Sequence, residues 1–169
     1  MSLVLRKVKL NQWYPRINCP WLEENELHAD PVVDLATRGN TLSVWVLDDR
    51  SNVERVMVAL AASVDHVSAI DYVLFDSRLL DNLGIIAEEE AGATPDEEAN
   101  RCWHRNLVKL SAQKLTSLAT AILETGHWDR IPEKTVRERI IQGVDSGCLR
   151  LDKFKPIMRQ KVELLLSRR

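Results

Sequence analysis

The stretch from Thr41 to Asp76 constrains the fold of this chain more than any other. Its sequence is TLSVWVLDDRSNVERVMVALAASVDHVSAIDYVLFD. Continuous apolar runs at 42–47 and 72–75 predict two buried strands. Between them, Ser51 and Glu54 have the spacing of a capping box, and apolar residues then recur at helical intervals. The stretch therefore predicts a strand–helix–strand (βαβ) unit, whose crossover should be right-handed.

The rest of the chain predicts a small sheet joined to a helical C-terminal part. The segment Leu3–Leu10 alternates and predicts a strand, and its basic residues are typical of a sheet edge. The longest helix is expected from Glu97 to about Thr125, and two more helices are expected to open at Pro132 and near Asp152. We therefore predict an α/β (or α+β) fold, with the βαβ unit at about 41–76 and about three helices in the C-terminal part.

The charge distribution divides the chain at an acidic connector. Residues 1–86 form the predicted α/β part, 87–100 the connector and 101–169 the helical part, which we expect to pack on the first part as one compact unit. Residues 1–100 carry 8 Lys and Arg against 18 Asp and Glu, whereas residues 101–169 carry 15 against 7. Such asymmetry is compatible with nucleic-acid binding by the basic part, or with packing of the two parts on each other or on a partner through complementary fields. Its ordinary interpretation is a basic helical surface that is simply solvated.

The composition bounds the class of protein. A chain of 169 residues, 45% apolar and 28% charged, can bury the core of one globular domain. No apolar run approaches the roughly 20 residues that span a bilayer, and the N-terminus lacks the pattern of an export signal. Cys19, Cys102 and Cys148 are odd in number and far apart, which suits a reducing compartment. We therefore expect a cytoplasmic protein that does not enter a membrane.

Three carboxylates follow the predicted parallel strands. Asp48 and Asp49 come directly after the first strand, and Asp76 ends the second. Ligands of parallel sheets bind outside the carboxyl ends of the strands, so these side chains are candidates for an acid–base pair or a Mg²⁺ site. The alternative is that Asp48 and Asp49 belong to the turn before a capped helix, where Asp is common for local reasons.

The sequence carries no cofactor or metal motif. It has no GxGxxG and no GxxxxGK[ST], and the turn after Leu47 reads DDRS, without a glycine to admit a phosphate. Cys102 and His104 are two positions apart and would lie on different faces of a regular helix, so they cannot share one ion. We expect neither a cofactor nor a metal. A nucleophile–base pair of Cys102 with the distant His127 stays open.

Two further regions are candidates for binding a partner. The segment before Pro31 is loop-like, and its Trp13, Tyr14 and Trp21 either pin the loop to the core or form a patch for a protein partner. The last two predicted helices and their turn are basic and offer phosphate contacts to a nucleic acid, although they fit a helix-turn-helix poorly. The basic residues are Lys134, Arg137, Arg139, Arg150, Lys153, Lys155, Arg159 and Lys161.

These features favour a cytoplasmic interaction or regulatory protein without catalytic activity. It would self-associate, for example as a homodimer, or bind a protein partner through its loop aromatics and apolar helix faces. The first alternative is a nucleic-acid-associated accessory protein that uses the basic C-terminal helices. The second is a metal-dependent hydrolase or nuclease centred on the strand-end aspartates. The missing catalytic motifs weigh against an enzyme without excluding one.

Overall fold

A computed structural model of the protein describes residues 2–13, 22–23, 26–35 and 37–167. These residues form one six-stranded sheet and eight helices. The strands are β1 (Leu3–Val8), β2 (Leu42–Leu47), β3 (Ile70–Asp76), β4 (Ile86–Glu89), β5 (His104–Val108) and β6 (His127–Ile131). The helices are α1 (Leu10–Trp13), α2 (Ala29–Asp34), α3 (Val53–Ala62), α4 (Arg78–Asn82), α5 (Glu97–Cys102), α6 (Ala112–Thr125), α7 (Glu133–Asp145) and α8 (Pro156–Leu166).

The strands follow the order β4-β5-β2-β1-β3-β6, and the neighbouring strands of the described sheet are antiparallel. Both β2 and β3 pair with β1, which lies between them, so β2 and β3 run parallel to each other. Since α3 connects them, they form the expected βαβ unit with β1 inserted. The predicted fold class is confirmed as an α+β fold.

Successive residues of the central strands point to opposite faces of the sheet and enter two separate cores. Leu5 and Trp45 lie in the core that α3, α5, α7 and α8 cover. Their neighbours Val4 and Val44 lie in the core that α4 and α6 cover. This alternation is the two-residue period of a strand that is buried on both faces. We call the two sides of the sheet the α3 face and the α6 face.

Two sequence predictions about individual elements are wrong. β1 is a central strand, with β2 on one side and β3 on the other, and not an edge strand. The helix expected from Glu97 to Thr125 is interrupted, because His104–Val108 is strand β5, paired with β2 and β4. Lys109, with a φ of 56°, ends that strand. Ser111 then caps α6 by accepting a hydrogen bond from the backbone N–H of Lys114 at 3.2 Å.

The C-terminal part contains the helices that the sequence predicts. α6, α7 and α8 follow one another after Arg101, and Pro132 directly precedes α7. The same part also contributes β5 and β6 to the sheet, on either side of the first three strands. Within the described ranges, every helix is too short or too polar to cross a bilayer.

Candidate functional site

β1 and β2 separate towards one end of the sheet. Their ladder ends at the pair Leu5 and Trp45, whereas β1 stays paired with β3 as far as Val8 and β2 with β5 as far as Leu42. The outer neighbours therefore hold the two central strands apart beyond Leu5. The opening, which we call the sheet cleft, has a volume of about 460 Å³. This volume lies in the range of small-molecule binding sites.

Three basic residues of the described chain line the sheet cleft. Arg6, Lys7 and Lys9 line it from β1 and the residue after it, and Asp34 of α2 is the carboxylate among the described lining residues. Asp34 Oδ2 already accepts two hydrogen bonds, from the backbone N–H of Lys9 at 2.8 Å and from Trp13 Nε1 at 2.7 Å. Three cations against one carboxylate make the cleft electropositive, which favours anions.

Arg6 spans the gap between the separated strands. Its Nη1 donates to the backbone carbonyl of Ser43 on β2 at 2.8 Å. Its Nε is buried and has no hydrogen-bond partner within the part of the chain that the structure describes. Burial lowers the pKa of Arg6, and Asp34 partly opposes this lowering, but a guanidinium remains protonated in a protein. A cleft-lining residue therefore carries a buried donor, Nε, that lacks an acceptor among the described residues.

Lys7 enters the sheet cleft from the α3 face. Because it lies two positions after Leu5, its side chain leaves the strand on the same side as Leu5. Leu60 of α3 and Ser63, the residue after that helix, line the cleft there. Burial lowers the pKa of Lys7 below its usual 10.5, and the charge of Arg6 adds to the effect. Asp34 raises the pKa of Lys7 without offsetting this lowering.

His104 forms the opposite wall, at the start of β5. Its ring is 7% exposed and packs edge-on against Trp45, with 5.0 Å between the ring centroids. Nδ1 lies 2.7 Å from the backbone carbonyl oxygen of Glu90. A carbonyl only accepts, so Nδ1 carries the proton, and in the neutral ring Nε2 carries the lone pair. His104 thus places an oriented proton acceptor in the lining of a cationic cleft.

A buried polar loop holds His104 in place. Asn100 Oδ1 accepts from the backbone N–H of Thr94 at 3.0 Å and from its hydroxyl at 2.7 Å, and Asn100 Nδ2 donates to the Thr94 carbonyl at 2.7 Å. Gly92 lies against this loop, and a Cβ added there would approach Asn100 Oδ1 to 2.7 Å and His104 Cγ to 3.2 Å. The glycine is therefore required by close packing and not by its backbone angles.

The strand-end aspartates lie at the other end of the sheet from the cleft. Leu3, the first residue of β1, pairs with both Leu47 and Asp76, so Asp48, Asp49 and Asp76 share that end. Hydrogen bonds from Ser51 lower the pKa of Asp49, and those from Arg78 lower the pKa of Asp76.

The carboxylates of Asp49 and Asp76 both have partners close by in the sequence. Asp49 Oδ1 accepts from the backbone N–H of Ser51 at 2.9 Å, and Asp76 forms an ion pair with Arg78. Nowhere in the described chain do three or more His, Cys, Asp or Glu lie close enough together to hold a metal ion. Cys102 and His127 do not meet, because β2, β1 and β3 separate β5 from β6.

The candidate partner-binding aromatics fall partly outside the described residues. Tyr14 and Trp21 lie there. Trp13 is 1% exposed, packs against Trp128 with 5.0 Å between ring centroids, and donates to Asp34. Trp13 therefore pins its segment to the core beside the sheet cleft.

The candidate nucleic-acid-binding residues lie on and between α7 and α8, and most have partners within the protein. Five form ion pairs with carboxylates: Arg137 with Glu133, Arg139 with Glu54, Arg150 with Glu97 and Asp152, Lys155 with Asp65, and Arg159 with Glu163. Lys161 Nζ contacts His66 Nδ1 at 2.7 Å, and Lys134 and Lys153 are exposed. These contacts reduce the positive field that a phosphate backbone would encounter.

Comparisons of the chain with protein-family models, with curated proteins and with solved structures found no match. The sheet cleft must therefore be interpreted from its own chemistry. Sequence reasoning passed over it, because Arg6, Lys7 and Lys9 look like the charges that protect an edge strand. These cations are interspersed with Val4, Leu5 and Val8, a pattern that fits a central strand as well as an edge strand. Only the strand order of the sheet shows that β1 is central.

Proposed function

We propose that the protein is a cytoplasmic regulatory protein that binds a small anionic metabolite, with a carboxylate or phosphate group, in the sheet cleft. The observation that carries the proposal is the Arg6 side chain, whose buried Nε lacks an acceptor in the described chain while its Nη1 is fixed to Ser43. An anion in the cleft would give the guanidinium a counter-charge, and a small movement of the side chain would bring Nε within reach of an anion oxygen.

The energetics of buried donors support an anionic occupant. A buried donor without a partner costs about 1–3 kcal/mol, and a hydrogen bond to a charged group contributes about 1.5–3 kcal/mol. Lys7 and Lys9 add charge at the same opening, where burial strengthens attraction to an anion. A ligand that pairs with this cluster removes a cost that the empty protein bears.

A regulatory role fits the surroundings of the cleft better than turnover does. Val33 of α2 lines the cleft and is 60% exposed, so an apolar contact for a protein partner or a second copy lies beside the ligand. Occupancy of the cleft would then change a surface that a partner contacts. Self-association and partner binding, as expected from the sequence, belong to this proposal.

Calorimetric titration tests the proposal with inorganic phosphate and with malonate as probes. Both should bind at low ionic strength, and the neutral amide malonamide should not, because it matches malonate in shape but lacks its charge. Lys7→Met should weaken binding about tenfold, equivalent to ~1.4 kcal/mol for one charge-assisted hydrogen bond. Lys9→Met, which alters an exposed residue, should weaken binding severalfold without a folding defect.

Lys153→Met is the matched control, because Lys153 is an exposed lysine on the turn before α8. It should leave both affinities unchanged. Equal affinity for malonate and malonamide, or an equal loss in the Lys7 and Lys153 variants, would contradict the proposal. Absence of binding by both anions at low salt would end it.

A further inference from the structure

Lys7 and Lys9 line the same cleft but have different surroundings. Lys7 is half-buried and faces Trp45 and α3, whereas Lys9 is exposed. Burial and the charges of Arg6 and Lys9 lower the pKa of Lys7, and Asp34 offsets only part of this. An amine that is desolvated beside another cation has a larger neutral fraction near pH 7, and the neutral amine is the nucleophile.

The lining of the cleft that contains this amine also includes a proton acceptor, His104. The hydrogen bond from His104 Nδ1 to the Glu90 carbonyl leaves Nε2 of the neutral ring as an acceptor, and His104 and Lys7 line the same cavity. One cavity of about 460 Å³ is therefore lined by a nucleophile (Lys7), a proton acceptor (His104) and two further cations (Arg6 and Lys9). Anion binding alone needs only the cations.

We propose that Lys7 captures the ligand covalently and reversibly, as an imine with a small 2-oxo acid whose carboxylate is held by Arg6 and Lys9. The inference rests on the proposed function, because it assigns the ligand class of the same cleft. A 2-oxo acid has the required pairing of groups, since its electrophilic carbonyl carbon is bonded directly to the carboxylate. Trp45 and Leu60 line the same cleft and provide apolar surface for the carbon chain of the ligand.

Imine formation changes no oxidation state and therefore needs no redox partner. The Lys7 nitrogen lone pair forms a bond to the carbonyl carbon, and the π pair of the C=O bond moves to oxygen. His104 Nε2 takes a proton from nitrogen and returns it to that oxygen, which gives a carbinolamine. The C–O bond then breaks as the nitrogen lone pair forms the C=N bond, and His104 passes the remaining N–H proton to the leaving oxygen, which departs as water and leaves a neutral imine. Addition of water reverses each step and releases the 2-oxo acid.

Reductive trapping tests the inference with glyoxylate as the probe. Cyanoborohydride reduces an imine to a stable secondary amine, and peptide mass spectrometry then gives the extent of modification at each lysine. In the full-length wild-type protein near pH 7, Lys7 should be modified severalfold faster than Lys9. In denaturant the two lysines should react at equal rates, because the folded environment that distinguishes them is gone.

Lys7→Arg and Lys153→Arg are the matched variants. Lys7→Arg keeps a cation for anion binding but has no reactive amine, so it should still bind malonate while losing the fast adduct, whereas Lys153→Arg, at an exposed lysine outside the cleft lining, should keep it. Equal or slower modification of Lys7 in the folded wild-type protein would overturn the inference. If malonate binding persists in that case, the proposed function stands alone. If malonate also fails to bind, both are wrong.

Discussion

At the scale of single residues, the protein places charged side chains where strands usually have apolar ones. Arg6 and Lys7 lie within a central strand, between Leu5 and Val8, which are both buried. Their burial lowers both pKa values, so the fold bears a cost for keeping them charged. Groups with shifted pKa values are common in binding and catalytic sites. We therefore interpret the charged residues of the sheet cleft as part of a binding site.

Tyr72 gives a residue-scale prediction that does not depend on any ligand. Burial, together with the hydrogen bond from its hydroxyl to Asp129 Oδ2 at 2.9 Å, raises the pKa of Tyr72 from 10.0 to about 12. The folded protein therefore keeps a proton that the unfolded chain loses near pH 10. Stability from this group is complete below pH 10 and is lost as the pH rises through about 12.

Asp129→Asn removes the negative charge and should lower the Tyr72 titration midpoint from about 12 towards 10. Tyrosinate absorbance in ultraviolet difference spectra follows the titration. Tyr72→Phe identifies the transition, because the chain has two tyrosines. An unchanged midpoint in Asp129→Asn would mean that burial alone sets the pKa of Tyr72.

At the scale of elements, the short helix α5 depends on one buried carboxylate. Asp96 is 1% exposed, accepts from Arg55 Nε at 2.6 Å and Nη2 at 3.0 Å, and caps α5 by accepting from the backbone N–H of Ala99 at 2.9 Å. The guanidinium of Arg55 also lies 5.4 Å from the centroid of the Trp103 ring. Through these contacts α5 is fixed to α3, directly before β5 and His104.

Asp96→Asn should lower the free energy of unfolding by about 2–3 kcal/mol, because asparagine still caps a helix but leaves the buried side of Arg55 without its counter-ion. Glu98→Gln is the matched control: Glu98 pairs with the same guanidinium at 2.8 Å but its side chain is 57% exposed, so the change should cost less than about 0.5 kcal/mol. Urea denaturation measures both. Equal effects would contradict the assignment of Asp96 as the anchor.

The elements also show where sequence reasoning succeeds. The apolar runs around Val44 and Val73 and the intervening helical period specify β2, α3 and β3 locally, and Pro132 marks the start of α7. The region around Leu107 and Leu110 fits a helical stripe equally well, because short apolar runs suit either structure. The segment is a strand because it pairs with β2 and β4. Local residue propensities cannot predict such pairing between distant parts of the sequence.

At the scale of the whole molecule, the site is a consequence of strand order. Insertion of β1 between β2 and β3 brings Arg6 and Lys7 from the start of the chain against Ser43 and, through β5, against His104. These residues are up to about a hundred positions apart in sequence, and no motif links them. The sequence therefore revealed the scaffold and the basic residues of β1, but not the cleft between its strands.

The sheet cleft also distinguishes the proposed function from its alternatives. An anion that binds the protein must choose between the cleft and the eight basic candidate residues on and between α7 and α8. The cleft offers an unpaired buried donor, whereas five of the eight helical candidates already pair with carboxylates in the described chain. A site-resolved measurement distinguishes the two locations.

Amide-resolved NMR during a titration with inorganic phosphate is that measurement. We expect saturable shifts at Arg6–Lys9, Ser43, Thr94 and His104, with small changes elsewhere, and loss of these shifts in Lys7→Met. Shifts confined to residues 134–161, or shifts that grow without saturation over the whole surface, would contradict the claim that the sheet cleft is the binding site.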